Sequence, residues 1–258
     1  MVPVSWRYRL PMINENEIVP YHTVDLPVEH GPWMIFAPHA DDETFGMGGT
    51  IIKAVERGME VQIVIMTDGA LGGSADNLAV IRREEAMKAA GLLGCSEPIF
   101  LEHPDRGLEF NDQTVNEVAG LVESYHPRAV FFPGINELHP DHRSAALIVW
   151  EAIQSAQKSS DRQITPVSYE VLVQSPVNTL VDITPYIRRK RDVMAAYISQ
   201  VEGNRYVEIS GSINKLRSLT LKTEVEFAEG YYRYSQNDIG QSLQAIFEEQ
   251  IRANLAYK

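Results

Sequence analysis

Three short runs constrain the fold: WMIFA over 33–37, VQIVIM over 61–66 and AVFF over 129–132 are almost unbroken in apolar character. A strand with one wet face alternates polar and apolar residues; a strand covered on both faces does not. Helix-like stretches at 44–57, 75–93, 111–125 and 140–156 separate these runs, and a further short strand is expected at 98–101. Strands alternating with helices of this length specify a parallel sheet flanked by helices, a Rossmann-like α/β fold. Beyond it, 167–173 and 179–183 read as a strand pair, and 185–201, 212–228 and 241–257 as helices. Residues 185–258 are therefore expected to be a mostly helical C-terminal extension. Residues 1–32 hold several prolines and no periodicity, which reads as an N-terminal arm ahead of a single domain over 33–258.

In the common doubly wound strand order, 3-2-1-4, the strands at 33–37 and 129–132 are neighbours across the switch point, where ligands bind beyond the carboxyl ends of the strands. Both loops there carry charge. Pro38-His39-Ala40-Asp41-Asp42-Glu43 follows the first strand, and the second loop ends in His139-Pro140-Asp141-His142. Charge at the edge of a core is unfavourable unless it holds a cation or does chemistry. His39 and Asp42, three apart on a tight turn, can face one ion, and His142 completes a set of two histidines and a carboxylate. That set binds catalytic zinc and leaves one position for water. Asp41 is then free to act as base on that water, whose pKa the metal lowers to about 7. Pro140 suits a first helical turn, which puts His139 and His142 on one face. The positive end of that helix keeps a ligand histidine neutral.

Singly, each piece has a plainer reading. His39 is a satisfied polar residue, Asp41 and Asp42 are helix caps, and His139 to His142 is a capped helix start. Their joint placement beside one crevice favours a metal site. Glu43 is expected to support the turn or cap the helix. Gly46, Gly48 and Gly49 are expected to form a tight turn that brings the helix close behind the metal.

The balance of charge removes other classes. With 35 acidic against 23 Lys and Arg residues, a net −12, the chain lacks the basic face that nucleic acid or an anionic membrane needs. No apolar run approaches a membrane span, and the first residues hold no apolar signal segment, so a cytoplasmic location is expected. One cysteine, Cys95, excludes an internal disulfide framework. No G-x-S-x-G is present, and Phe45 to Gly49 does not fit G-x-G-x-x-G, which argues against serine hydrolase and dinucleotide-binding readings. The run Arg188 to Arg191 reads as a solvated helix face. Nothing in the sequence fixes an oligomeric state.

At the two charged loops the chain resembles the LmbE-like, or PIG-L, family of zinc-dependent N-acetylglucosamine deacetylases. Its first motif, Pro-His-Pro-Asp-Asp-Glu, is matched by residues 38–43 with Ala40 in place of the second proline; its second, His-x-Asp-His, is matched by 139–142. Weaker similarity extends over about 33–231, including Thr67-Asp68-Gly69, the text from Arg82, the loop 104–108, Ser199-Gln200 and Ala228-Glu229-Gly230. The resemblance implies an LmbE-like fold and one Zn2+ per chain held by His39, Asp42 and His142, other divalent ions being alternatives. It implies Asp41 as general base and His139 as stabiliser of the oxyanion or proton donor to the leaving amine. It also implies Asp141 as the carboxylate that orients a histidine, and Arg82 and Asp105 as sugar contacts. Against the last pair, Arg82 with Glu85 could be an exposed ion pair, and Asp105 a turn residue.

The implied reaction removes the N-acetyl group of an amino-sugar conjugate, a small-molecule substrate. An amidase acting on another acyl-amine through the same metal site is the alternative. Some members place a tyrosine two residues before the second motif, near the substrate. Glu137 stands there in this chain, and an acid in that place would favour a cationic or polyhydroxylated substrate. His103-Pro104-Asp105 copies half of the second motif and reads as substrate loop.

Overall fold

A computed structural model of the chain describes residues 22–73, 75, 77–159 and 163–255. The expected arm falls largely on 1–21, outside the described residues, as does part of the loop near 160. In chain order the elements are β1 (His22–Val24), β2 (Trp33–Ala37), α1 (Asp42–Val55), β3 (Val61–Thr67), α2 (Leu78–Leu93), β4 (Ile99–His103), α3 (Asp112–Tyr125), β5 (Ala129–Pro133), α4 (Pro140–Ser159), β6 (Thr165–Tyr169) and β7 (Thr179–Asp182). A 3-10 turn (Thr184–Tyr186), α5 (Ile187–Met194), α6 (Ile198–Val201), α7 (Tyr206–Arg217), β8 (Ala228–Arg233) and α8 (Leu243–Leu255) follow.

The strands form one sheet in the order β1-β7-β8-β6-β5-β2-β3-β4. Its β5-β2-β3-β4 half is parallel and has the expected doubly wound order. The unbroken apolar runs follow from two cores, one on each face. Trp33, Ile35 and Ala37 of β2 enter the first with Ile63, Ile65 and Phe131. Met34 and Phe36 enter the second with Val64, Met66, Val130 and Phe132. A period of two carries neighbours along a strand to opposite faces, so every position of a doubly covered strand is apolar.

The second half departs from expectation. The strands at 165–169 and 179–182 do not pair with each other, because β8 lies between them, antiparallel to both. The helix expected at 212–228 is instead Tyr206–Arg217, and its expected last residue, Ala228, begins β8. The single helix expected at 185–201 is split into the 3-10 turn, α5 and α6. The run Arg188 to Arg191 is only partly a solvated face: Lys190 is fully buried and paired with Glu229 at 2.8 Å. No helix among the described residues is long and apolar enough to cross a membrane.

Candidate metal centre and active-site cavity

The carboxyl ends of β2 and β5 bring the two charged loops together, as the strand order requires. At the end of β2, the Pro38 carbonyl accepts from the Thr67 N–H and hydroxyl, at 2.9 and 2.8 Å, which ties the loop to β3. Asp41 then takes φ 132°, a region that strains any residue with a side chain. The strain turns the chain sharply into α1. Asp41 is the N-cap residue of α1, yet its side chain makes no capping bond. Glu43 supports the turn as expected: Oε2 accepts from the Asp41 N–H at 3.3 Å, while the Thr44 and Tyr197 hydroxyls each donate to Oε1 at 2.6 Å.

Asp42 Oδ2 is the point of convergence. It accepts from the His39 N–H at 2.9 Å and lies 3.2 Å from His39 Nδ1 and 3.1 Å from His142 Nε2. The other ring nitrogen of His39, Nε2, faces two carboxylates, Asp141 Oδ2 at 3.1 Å and Asp105 Oδ1 at 3.4 Å. A proton shared with those acids leaves Nδ1 as the lone-pair donor. Asp141 is held in turn by the Arg106 and Leu108 N–H groups, at 2.7 and 3.3 Å. His139 starts the second loop's contribution with its ring edge-on to His39, centroids 4.6 Å apart. Its Nδ1 accepts from the Asp141 N–H at 3.3 Å, so the neutral ring carries its proton on Nε2.

Two imidazole nitrogens and a carboxylate oxygen at this separation fit a divalent cation of zinc type by donor chemistry alone. Donor atoms of His39, His139 and His142 also lie within 4.8 Å of one another, as do those of His39, Asp105, His139 and Asp141. His139 and Asp105 thus join the cluster alongside the sequence-derived set.

The electrostatics agree with a cation site. Burial works to raise the Asp42 carboxyl, but His142 and His39 outweigh it and hold it below the usual carboxylate range. Burial works against charge on His39 and His142, yet the surrounding acids raise both above ordinary histidine. Burial pushes Asp41 up to about 7, opposed by the Arg82 guanidinium. Burial, with the neighbouring His39 and His142, lowers His139.

Arg82 is buried and reaches the Ala40 carbonyl at 2.9 Å, with Asp41 Oδ1 at 3.4 Å. Glu85 instead accepts from the Ser199 N–H and hydroxyl, so the surface Arg82–Glu85 pair does not form. Asp105 is more than a turn residue: besides facing His39 it accepts from the Leu71 N–H at 3.0 Å. His103, by contrast, pairs with Glu117 at 2.7 Å. The cluster opens into a cavity of about 330 Å³ whose far wall holds Gln200, Asn204 and Tyr206. Of these, only Gln200 carried a signal in the sequence, in the Ser199-Gln200 pair. Glu137 corrects an expectation: it is 1 % exposed, with its carboxylate turned inward to the backbone of 171–173 and outside the cavity lining. Burial pushes the Cys95 thiol up to about 12, which disfavours the thiolate.

Fold and site together define a class, an α/β sheet with a cluster of histidines and carboxylates at its switch point that could hold a metal ion, and the comparisons show what the chain is similar to. Residues 34–153 match the PIG-L family model, described as GlcNAc-PI de-N-acetylase. The chain is 33% identical over 127 residues to the diacetylchitobiose deacetylase of Thermococcus kodakarensis, covering 46% of this chain and 48% of the relative. It thus spans about half the length of that curated relative. It is 27% identical over 184 residues to a Bacillus anthracis protein named "Probable N-acetyl-alpha-D-glucosaminyl L-malate deacetylase 2", covering 65% of this chain and 80% of the relative. Among solved structures, the N,N'-diacetylchitobiose deacetylase of Pyrococcus horikoshii aligns with a TM-score of 0.72 and 24% identity, covering 81% of this chain and 86% of that one. That likeness speaks for the LmbE-like fold.

Proposed function

We propose that this protein is a zinc-dependent hydrolase that removes the acetyl group from an N-acetylglucosamine-type conjugate, releasing acetate and the free amine. The observation that carries the reading is the convergence of His39 Nδ1 and His142 Nε2 on Asp42 Oδ2, at 3.2 and 3.1 Å, beside a second carboxylate left free of ligand duty. His39, Asp42 and His142 would hold the ion. When bound, zinc supplies a Lewis acid for the acetamide carbonyl and lowers the pKa of water.

The chain's own groups divide the remaining work. Asp41, held near pH 7 by burial, takes a proton from the attacking water. Arg82 holds its carboxylate through the 3.4 Å contact with Oδ1. His139, the most open of the three histidines at 33% side-chain exposure, presents Nε2–H where the oxyanion develops and then the amine leaves. Asp141 keeps the proton of His39 on Nε2. Arg82 and Asp105 line the cavity on the side that would receive the sugar ring. The names of both curated relatives, deacetylases of amino-sugar compounds, support an amino-sugar amide over another acyl-amine.

The test is metal analysis of purified protein followed by a free-amine assay on a panel of N-acetylglucosamine conjugates. Amine release that a chelator abolishes and added zinc restores is expected. Zinc-loaded protein that releases no amine from any conjugate overturns the reading.

A further inference from the structure

Among the described residues, His142 has a buried ring nitrogen without a partner. Its Nε2 faces Asp42, while Nδ1 is enclosed and makes no hydrogen bond. A histidine that ligates through Nε2 carries its proton on Nδ1, and a buried donor without an acceptor is costly. Glu137 Oε2 lies 3.9 Å from that nitrogen. The two oxygens of Glu137 are unequally used. Oε1 accepts from the N–H groups of Val171, Leu172 and Val173 at 2.8, 3.2 and 3.3 Å. Oε2 has only a long contact of 3.4 Å with the Leu172 N–H. One oxygen is therefore engaged by the loop and the other faces the histidine. A ring or carboxylate shift of about 1 Å brings the pair into hydrogen-bond range.

We propose that Glu137 is the positioning carboxylate of His142: its free oxygen accepts the Nδ1–H when Nε2 holds the metal, while its other oxygen keeps 171–173 in place. This deepens the proposed function and rests on it. Val171 and Leu172 line the cavity, so the same side chain joins a metal ligand to a wall of the substrate site. Carboxylates in this place fix the tautomer and orientation of a ligating histidine and raise its basicity. Glu137 stands where some family members carry a substrate-side tyrosine, and in this chain the position has turned inward to serve the metal.

Glu137→Gln tests the assignment. An amide offers one acceptor oxygen, so it can satisfy the loop or the histidine, but not both. Zinc affinity is read by competition with a chromophoric chelator, using metal-free wild type and variant, with the metal-free melting temperature measured alongside. The expected result is a loss of about 10–100-fold in zinc affinity, with a changed visible spectrum of the cobalt-loaded variant. A variant that melts lower yet binds zinc as wild type does has lost only a structural bond, and this overturns the proposal. Should the variant fail to fold, wild type decides: histidine-labelled protein should gain a slowly exchanging, low-field His142 Nδ1–H resonance on zinc loading. A fast-exchanging Nδ1–H in the loaded protein overturns the proposal. Wild type that binds no zinc overturns the proposed function itself, a separate outcome.

Discussion

Asp41 combines backbone strain and a buried carboxyl group in one residue. Its φ of 132° suits glycine, and its carboxylate is buried and held up to about 7. Such strain costs about 1–3 kcal/mol and persists only where the surroundings impose it. Asp41→Gly is expected to abolish amine release while stabilising the metal-free protein by about that amount, read by denaturant unfolding. Asp41→Asn keeps the shape and the three ligands. It is expected to retain bound zinc and lose about 10²–10⁴-fold in rate, checked by metal analysis beside the amine assay. Full activity in the Asn variant would remove Asp41 as base. At this scale the sequence was informative wherever placement depends on short spacing: His39, Asp41 and Asp42 lie on one turn, and His139, Asp141 and His142 on another. The direction of Glu137 was not readable. It depends on the amides of 171–173, a segment that no local pattern connects to it.

At the scale of elements, α1 shows why its glycines are there. They do not form the tight turn expected of them; the sharp turn is made at Asp41. Met47, at φ −141° and ψ 18°, interrupts the helix, and the freed N–H groups of Gly49 and Thr50 donate to Glu229 at 2.9 and 2.8 Å. A Cβ on Gly46 would meet the Tyr169 ring at 2.5 Å, and one on Gly49 would meet Ile183 at 2.7 Å. The helix is thus pressed against the sheet, with a buried acid capping its second segment. Lys190 neutralises that acid at 2.8 Å and also donates to the Phe45 carbonyl and to Asn214, at 2.8 and 2.9 Å. Lys190→Met leaves Glu229 charged and unpaired in the core, with an expected cost of about 3–5 kcal/mol. The double variant Lys190→Met, Glu229→Gln removes the isolated charge and is expected to lose less than the single one. Denaturant unfolding of both measures the difference, and a double variant weaker than the single one would contradict the account. The run from Arg188 to Arg191 gave no hint of this, since three of its four cations are exposed and only the register of α5 turns Lys190 inward.

The whole molecule is an expected half joined to an unexpected one. β2, β3 and β5 were legible because burial on both faces demands unbroken apolar sequence, whereas the edge strand β4 is only half-buried and ends in Glu102 and His103. β8 escaped notice because its text, AEGYYR, is written for other demands. Glu229 caps α1, and Gly230 has no room for a side chain, since a Cβ there would meet Glu170 Oε2 at 2.7 Å. Yet this strand lies inside the sheet, bonded to β6 on one side and β7 on the other. The C-terminal part is therefore a piece of the sheet and no appendage to it, which leads to opposite expectations for two truncations. Ending the chain after Gly240 removes α8, whose Leu243 and Ile246 enter the second core. The sheet survives, and a cooperative thermal transition at lower temperature is expected. Ending it after Leu221 removes β8 as well, strips the ladder from β6 and β7, and leaves Lys190 buried without its acid. That chain is expected to show no cooperative transition by circular dichroism and to elute as aggregate, because exposed strand edges pair with other chains. A folded, monodisperse product of the shorter truncation would mean that the parallel half and its metal centre stand without the second half.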